Sequence, residues 1–281
     1  MATALGTYAT LTGLKSRLAI SNSTDDGLLQ TLCDQINGWI ESYTSRPLAP
    51  LPNIDTTLNG GVSIGATSVT LTSASGVSIG DALMLGPVSG THEHGIVIAV
   101  AGNVVTFQAP LLNAYSTATV VVRVYIFDGD EFDSRILQAP IGIISLTSLE
   151  VAPTWNAAST QWSLVPPQDY LLRPTLVDRE LGWPYTEIHM SPIPSSGNVY
   201  PFFAGYDAIA RGTGSFGWPA IPDEIVGIAL DVAVAAWRGR ASGGGEQFTI
   251  GSTGERTFER SLSYQGRKTL MRYSQKAVSI I

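Results

Sequence analysis

The chain has 281 residues, more than one average domain, and its side chains are 44% apolar and 14% charged. That composition is globular and excludes a disordered or collagen-like chain, and no apolar run approaches the ~20 residues that cross a bilayer as a helix. The formal charge of −7 divides into an acidic body (residues 1–245, −10) and a basic end (residues 246–281, +3). The acidic body argues against a DNA grip, which needs clustered Lys and Arg; the basic end suggests docking on something acidic, with a solvated last helix as the plainer alternative.

Thr10 is a helix cap for a short helix over Leu11–Leu18. A second helix follows, with Thr24 as its cap and Asp25 and Asp26 in its first turn. Its buried face is expected at Leu28, Leu32, Ile36, Trp39, Ile40 and Tyr43. Arg46-Pro47 ends it, since proline disfavours helical geometry in the residue before it. The single cysteine, Cys33, lies in this helix, makes no internal disulfide and reads as a small buried hydrophobe. Leu48–Asp55, interrupted by Pro50 and Pro52, reads as a linker. No basic region followed by a hydrophobic one opens the chain, so no secretory signal is expected, and assembly in a cytoplasm fits.

From Thr57 to Phe127 the pattern changes to strands. Ser68–Thr72, Ala82–Leu85, Gly95–Val100, Val104–Gln108 and Thr119–Phe127 alternate with period two, and Gly76, Gly80-Asp81, Gly86-Pro87 and Gly102-Asn103 supply turns. Short strands at this spacing predict a small barrel or sandwich. The pentapeptide Gly-Val-Ser-Ile-Gly occurs at 61–65 and again at 76–80, as a reused turn. Strand-like runs at Gly142–Val151, Gln161–Val165, Tyr170–Arg173 and Thr186–Met190 predict a second β-rich segment over residues 128–214. A glycine- and aromatic-rich turn at Gly212–Trp218 then enters a helix at Pro222, with Asp223 and Glu224 at the positive end of its dipole. Ile225, Val226, Ala229, Leu230, Val232, Ala233, Ala236 and Trp237 form its apolar stripe, and Gly243–Gly245 stop it.

Several patterns raise chemistry, and each has a plainer reading. Both pentapeptides match a G-x-S-x-G elbow at Ser63 and Ser78, yet each runs into a strand where an elbow needs a helix. Gly212-x-Gly214-x-x-Gly217 matches the dinucleotide fingerprint only formally, because Trp218-Pro219 follows where a helix should open. His92 and His94 share one face of a strand and could begin a zinc site, but only His189 could join them; a solvated hairpin edge is expected. Asp128–Asp133 offers carboxylates but lacks the glycine and distant glutamate of an EF-hand. No nucleophile, base and orienter assemble, so the expectation is a non-enzyme with no catalytic residue, cofactor or metal. Trp39 and Trp237 are expected in the core, and Phe216 and Trp218 suit a core or a partner anchor equally.

Four stretches in order resemble the head–tail connector (adaptor) family of long-tailed double-stranded DNA phages. They are the amino-terminal helices ending in Tyr43-Thr-Ser-Arg46-Pro, then Trp162–Pro174 with Pro184–Ile188, then Gly214–Pro222, and last Leu270-Met-Arg-Tyr273. The stretch holding Val69–Gly76, Gly80-Asp81 and Gly102–Phe107 with Pro110-Leu111 also resembles a small β-barrel module recurring in phage virion proteins. The expected fold is α+β: a small helical bundle from the amino- and carboxy-terminal segments with a large inserted β-rich region. Residues 1–54 and 215–245 would form the adaptor core, 55–127 an inserted barrel, 128–214 a second β-rich segment and 246–281 a docking tail. The resemblance implies a virion protein of the neck whose copies close a ring, commonly twelve-fold. Such a ring joins the portal protein to the tail or a stopper protein and leaves a channel for genomic DNA, which it does not bind by sequence, away from any membrane. The docking residues expected in the tail are Phe248, Arg256, Phe258, Arg260, Leu262, Tyr264, Arg267, Leu270, Arg272 and Tyr273, with 242–281 ordering on the portal. A tail-completion or stopper protein is the neighbouring alternative, and a β-rich glycan- or host-surface-binding module is the alternative of another class.

Overall fold

The structure is a computed structural model and describes residues 6–87, 90–129, 135–152, 162–173, 183–192, 194, 210–241 and 262–274. The chain divides into two compact units, Met1–Leu51 with Gly217–Ile281, and Pro52–Phe216. The described residues are α+β, with four α-helices in the first unit and an eleven-stranded antiparallel sheet in the second. No helix among them is long and apolar enough to cross a membrane.

The helices of the first unit are α1 (Leu11–Leu18), α2 (Asp26–Thr44), α3 (Asp223–Ala241) and α4 (Tyr264–Tyr273). Thr10 caps α1, its hydroxyl accepting from the Gly13 N–H at 3.1 Å. The expected cap of α2 is corrected: Asp25 takes that place, without a side-chain cap bond. The reason is a turn wound ahead of the helix, in which Thr24 N–H donates to Asn22 and Asp26 N–H to the Ser23 carbonyl. Lys15 then holds Asp26 at 2.6 Å.

The buried face of α2 is also rotated from expectation. Leu29, Cys33, Ile36, Asn37, Trp39, Ile40 and Thr44 are inside, while Leu28 is 50% exposed and Tyr43 is half-buried. Apolar residues occupy both candidate stripes, so spacing alone could not choose between them. The inner stripe wins because its polar members find partners. Asn37 Oδ1 accepts from the Tyr8 and Ala9 N–H groups (3.1 and 2.7 Å), and its amide donates to the Ala9 carbonyl (3.2 Å). Thr44 donates to the Ile40 carbonyl. Burial pushes the Cys33 thiol up to about 11, in keeping with an inert core residue.

Helix α1 packs on α2 and α3, α2 packs on α3, and α4 packs on α2 and α3. Ala229, Ala233 and Ala236 are all buried, which places the thin strip of α3 at these contacts. Trp39 is in the core, but Trp237 is only half-buried, which corrects that expectation.

The strands of the second unit are β1 (Asp55–Thr57), β2 (Ser68–Thr70), β3 (Ala82–Leu85), β4 (Glu93–Ala101), β5 (Val104–Phe107), β6 (Val120–Gly129), β7 (Ile136–Val151), β8 (Ser163–Leu164), β9 (Tyr170–Arg173), β10 (Tyr185–Met190) and β11 (Ala210–Phe216). Their order is β2-β5-β4-β3-β6-β11-β7-β10-β9, with β1 on β6 and β8 on β7. Strand β6 serves both halves: Val121–Val124 face β3, and Tyr125–Phe127 face β11. Period-two alternation divides two cores. Leu83, Leu85 and Val121 join Leu58, Val69, Leu71, Val97, Val105, Phe107 and Leu111, whereas Ala82, Met84 and Val124 pack on the opposite face.

Residues 210–216 form a strand, which corrects the expected turn at Gly212–Gly217; pairing with β7 and β6 overrides the local glycine signal. The turn falls at Gly217 itself (φ 96). Both pentapeptides are the same turn in the same hydrogen-bond frame. Ser63 and Ser78 carbonyls accept from residues three ahead, and Gly65 and Gly80 (φ 84 and 94) supply the left-handed position. Gly65 N–H donates to Leu111 and Leu111 N–H returns to Ala66, just as Gly80 donates to Val97 and Val97 returns to Asp81. The repeated sequence is therefore a repeated structural corner of the small core, with exposed Ile64 and Ile79 at its tips.

Candidate partner-binding surface

Helix α4 opens at Ser263, whose hydroxyl accepts from the Gly266 N–H at 3.0 Å. Gly266, Leu270 and Tyr273, spaced four and three apart, face inward and are buried. Tyr273 lies 5.1 Å from the Trp218 ring, and the Arg46 guanidinium sits 5.4 Å over that ring. Arg46 Nε donates to the Tyr273 carbonyl at 2.9 Å, so a cation meets the last turn of α4, where the helix dipole is negative. Burial pulls the Arg46 pKa below its ordinary value.

The opposite face carries Tyr264, Arg267, Lys268, Met271 and Arg272, all exposed. Their spacing places them on one side of the helix. Tyr264 is 78% exposed and Met271 60%, so an aromatic ring and a flexible thioether stand among three cations. Arg272 approaches Glu224 at 4.0 Å, an exposed pair that costs little to break. Cations with an adaptable apolar centre suit an acidic protein surface that carries an apolar pocket.

Of the residues expected to dock, Tyr264, Arg267 and Arg272 are exposed on α4, whereas Leu270 and Tyr273 are buried within the unit. Leu262 is half-buried ahead of the cap. Phe248, Arg256, Phe258 and Arg260 lie outside the described residues. Residues 264–273 are helical and packed, and the rest of 242–281, apart from 262, 263 and 274, lies outside the described residues. Lys268 and Met271, four and seven residues after Tyr264, are exposed on the same side of the helix, and the sequence reading did not include them. Phe216 and Trp218 are both buried.

In the second unit the serines occupy the repeated turns, each followed by a strand. The solvated edge expected for His92 and His94 is corrected. His92 Nε2 meets Glu150 Oε1 at 2.8 Å, and His94 Nδ1 meets Arg211 Nη1 at 2.6 Å, in a largely buried cluster. No group of three or more His, Cys, Asp or Glu side chains among the described residues could hold a metal. Of Asp128–Asp133, the first two residues end β6, and 130–133 lie outside the described residues. Phe107, Tyr115 and Phe127 are buried and Tyr125 stacks on Phe216 at 3.7 Å, so none of the four offers a sugar a flat platform. A shallow groove of about 280 Å³ beside the first turn is lined by Asn59–Ser63, Ala66 and Ser68–Thr70, without an aromatic ring.

No protein-family model matches the chain, and no curated protein matches it. Among solved structures it is similar to the tailspike of Acinetobacter baumannii bacteriophage AP22, solved in complex with A. baumannii capsular saccharide. That similarity has 24% identity and a TM-score of 0.22, and it covers 25% of this chain and 15% of the tailspike chain.

Proposed function

We propose that this chain is a structural virion protein of a phage neck, a non-enzyme whose copies close a ring, twelve-fold as is common among adaptors. The ring joins the portal to the tail or next neck protein and leaves a passage for the genome. The observation that carries the reading is the outer face of α4, where Tyr264 and Met271 stand among Arg267, Lys268 and Arg272 on a chain of net charge −7. A second support is convergence. Arg46, Trp218 and Tyr273 come from three of the separate stretches that resemble adaptors, and they meet in one cluster. In this reading the four helices are the adaptor bundle, and the sheet is inserted between its halves.

The physical work is recognition. One helix face of this size binds weakly, and a ring of identical faces on a ring-shaped portal binds by avidity. A mostly acidic body lets DNA slide past without sticking.

The test is the mass of the full chain alone and mixed with the portal protein of the same phage. Wild type is expected to elute as a ring or with the portal. The triple variant Arg267→Glu, Lys268→Glu, Arg272→Glu is expected to keep its fold and lose at least tenfold in portal affinity at moderate salt. Co-elution only with a pre-formed portal–adaptor complex would identify a stopper protein instead. A monomer that ignores the portal and binds a saccharide would overturn the neck reading in favour of a glycan-binding module.

A further inference from the structure

The second unit contains a buried charged cluster that portal docking does not use. Arg211 on β11 is fully buried, with Nε donating to Glu150 Oε2 on β7 at 2.9 Å and Nη1 donating to His94 Nδ1 on β4 at 2.6 Å. Its guanidinium lies 4.3 Å from the Trp162 ring, which His94 meets edge-on at 5.7 Å. His92, just ahead of β4, contacts Glu150 Oε1 through Nε2 and the Gly90 carbonyl through Nδ1 (2.8 and 2.7 Å). In the strand order β3 and β6 lie between β4 and β11. Among the described residues, side chains therefore tie β4 to β11 and β7.

Guanidinium offers donors only, so His94 Nδ1 must accept, and the ring must be neutral.

We propose that this cluster is an acid-operated clasp: a proton on His94 releases β4 from β11 and β7. A hydrogen on Nδ1 would face Arg211 Nη1 across 2.6 Å, cation against cation, in a largely buried site. The neighbouring carboxylates are already engaged. Glu150 already accepts from His92 and Arg211, and Glu93 from the Leu112 and Asn113 N–H groups. Arg211 Nη2 and Trp162 Nε1 are already buried donors without a hydrogen-bond partner among the described residues. Burial first, and then Arg211, push His94 down to about 4, with Glu150 and Glu93 offsetting part and His92 adding to it. The folded value is below the ordinary one of about 6.5, so the stability that the neutral ring contributes is full at neutral pH and falls as pH drops from about 6.5 towards 4, while the folded ring itself takes the proton only near the lower end.

The clasp does not depend on the neck assignment. Its test is urea unfolding of the full chain between pH 7 and 4.5, comparing wild type with His94→Gln and with His189→Gln as control. Glutamine keeps an acceptor for Arg211 and cannot titrate. Wild type is expected to lose on the order of 50-fold in its folding constant across that range. His94→Gln should remove most of that loss and His189→Gln should not. An unchanged pH slope in His94→Gln would overturn the clasp. If that variant does not fold, histidine-labelled NMR of the wild type decides. A neutral His94 at pH 5.5 supports the clasp, and a doubly protonated ring at that pH overturns it.

Discussion

Replacing Asn37 with alanine removes the side-chain clamp that α2 places on Tyr8 and Ala9, and the size of the effect follows from the geometry. Asn37 is 5% exposed and makes three bonds, accepting from Tyr8 and Ala9 N–H and donating to the Ala9 carbonyl. Tyr8 and Ala9 are themselves buried, so alanine leaves two N–H groups and one carbonyl beneath the surface without that partner. Each net bond contributes about 1 kcal/mol, and each stranded buried group costs about 1–3 kcal/mol. Partial rescue by water lowers the sum, so a loss of about 3–5 kcal/mol is expected, against the 5–15 kcal/mol typical of a whole domain. Urea unfolding measures the loss, and hydrogen exchange at residues 8 and 9 locates it. Those amides should lose protection more than the β4 amides of the other unit. A loss below about 1 kcal/mol, or equal exchange in both units, would refute the reasoning and mean that the segment is held by Tyr8 and its partners Glu41 and Leu48 instead.

Two further perturbations test the remaining joints of the fold. Arg123→Met removes donors to the Pro52 carbonyl (2.9 Å), the Gly76 carbonyl (2.8 Å) and Asp81 (2.5 Å), which hold the second pentapeptide turn to the start of the unit. It should lower stability by about 3 kcal/mol in urea unfolding, and a neutral result would mean that the turn stands without its arginine. Gly217→Ala places a Cβ 2.3 Å from the Ala49 carbonyl oxygen at φ 96, and should lower the first unit's stability by about 2–4 kcal/mol. An unchanged melting temperature would show that the backbone near Ala49 yields at little cost.

Much of this protein was legible in its sequence where local chemistry decides. Thr10 and Leu11–Leu18 mark a helix because a hydroxyl cap and its spacing need no distant partner. Ala82–Leu85 and Tyr170–Arg173 are strands as read, and the duplicated pentapeptide is a duplicated turn because glycine alone relieves its backbone. The face of α2 that turns inward was not legible, since Leu28 and Leu29 are equally apolar and only the neighbouring helices and the partners of Asn37 choose. Residues 210–216 hid a strand behind glycines, which Ile143–Val151 of β7 revealed by pairing with them. The same holds for the sites. Helical spacing could have found Lys268 and Met271 from Tyr264, but Tyr273 is buried beside Trp218 and Arg46, both far away in sequence. His92 and His94 looked like a wet edge because Glu150 and Arg211 lie about 60 and 120 residues away, and only the folded sheet brings them together. Sequence determined what each segment does with its own backbone. Tertiary structure decided which side chains lose water, because desolvation depends on neighbours that the chain supplies from elsewhere.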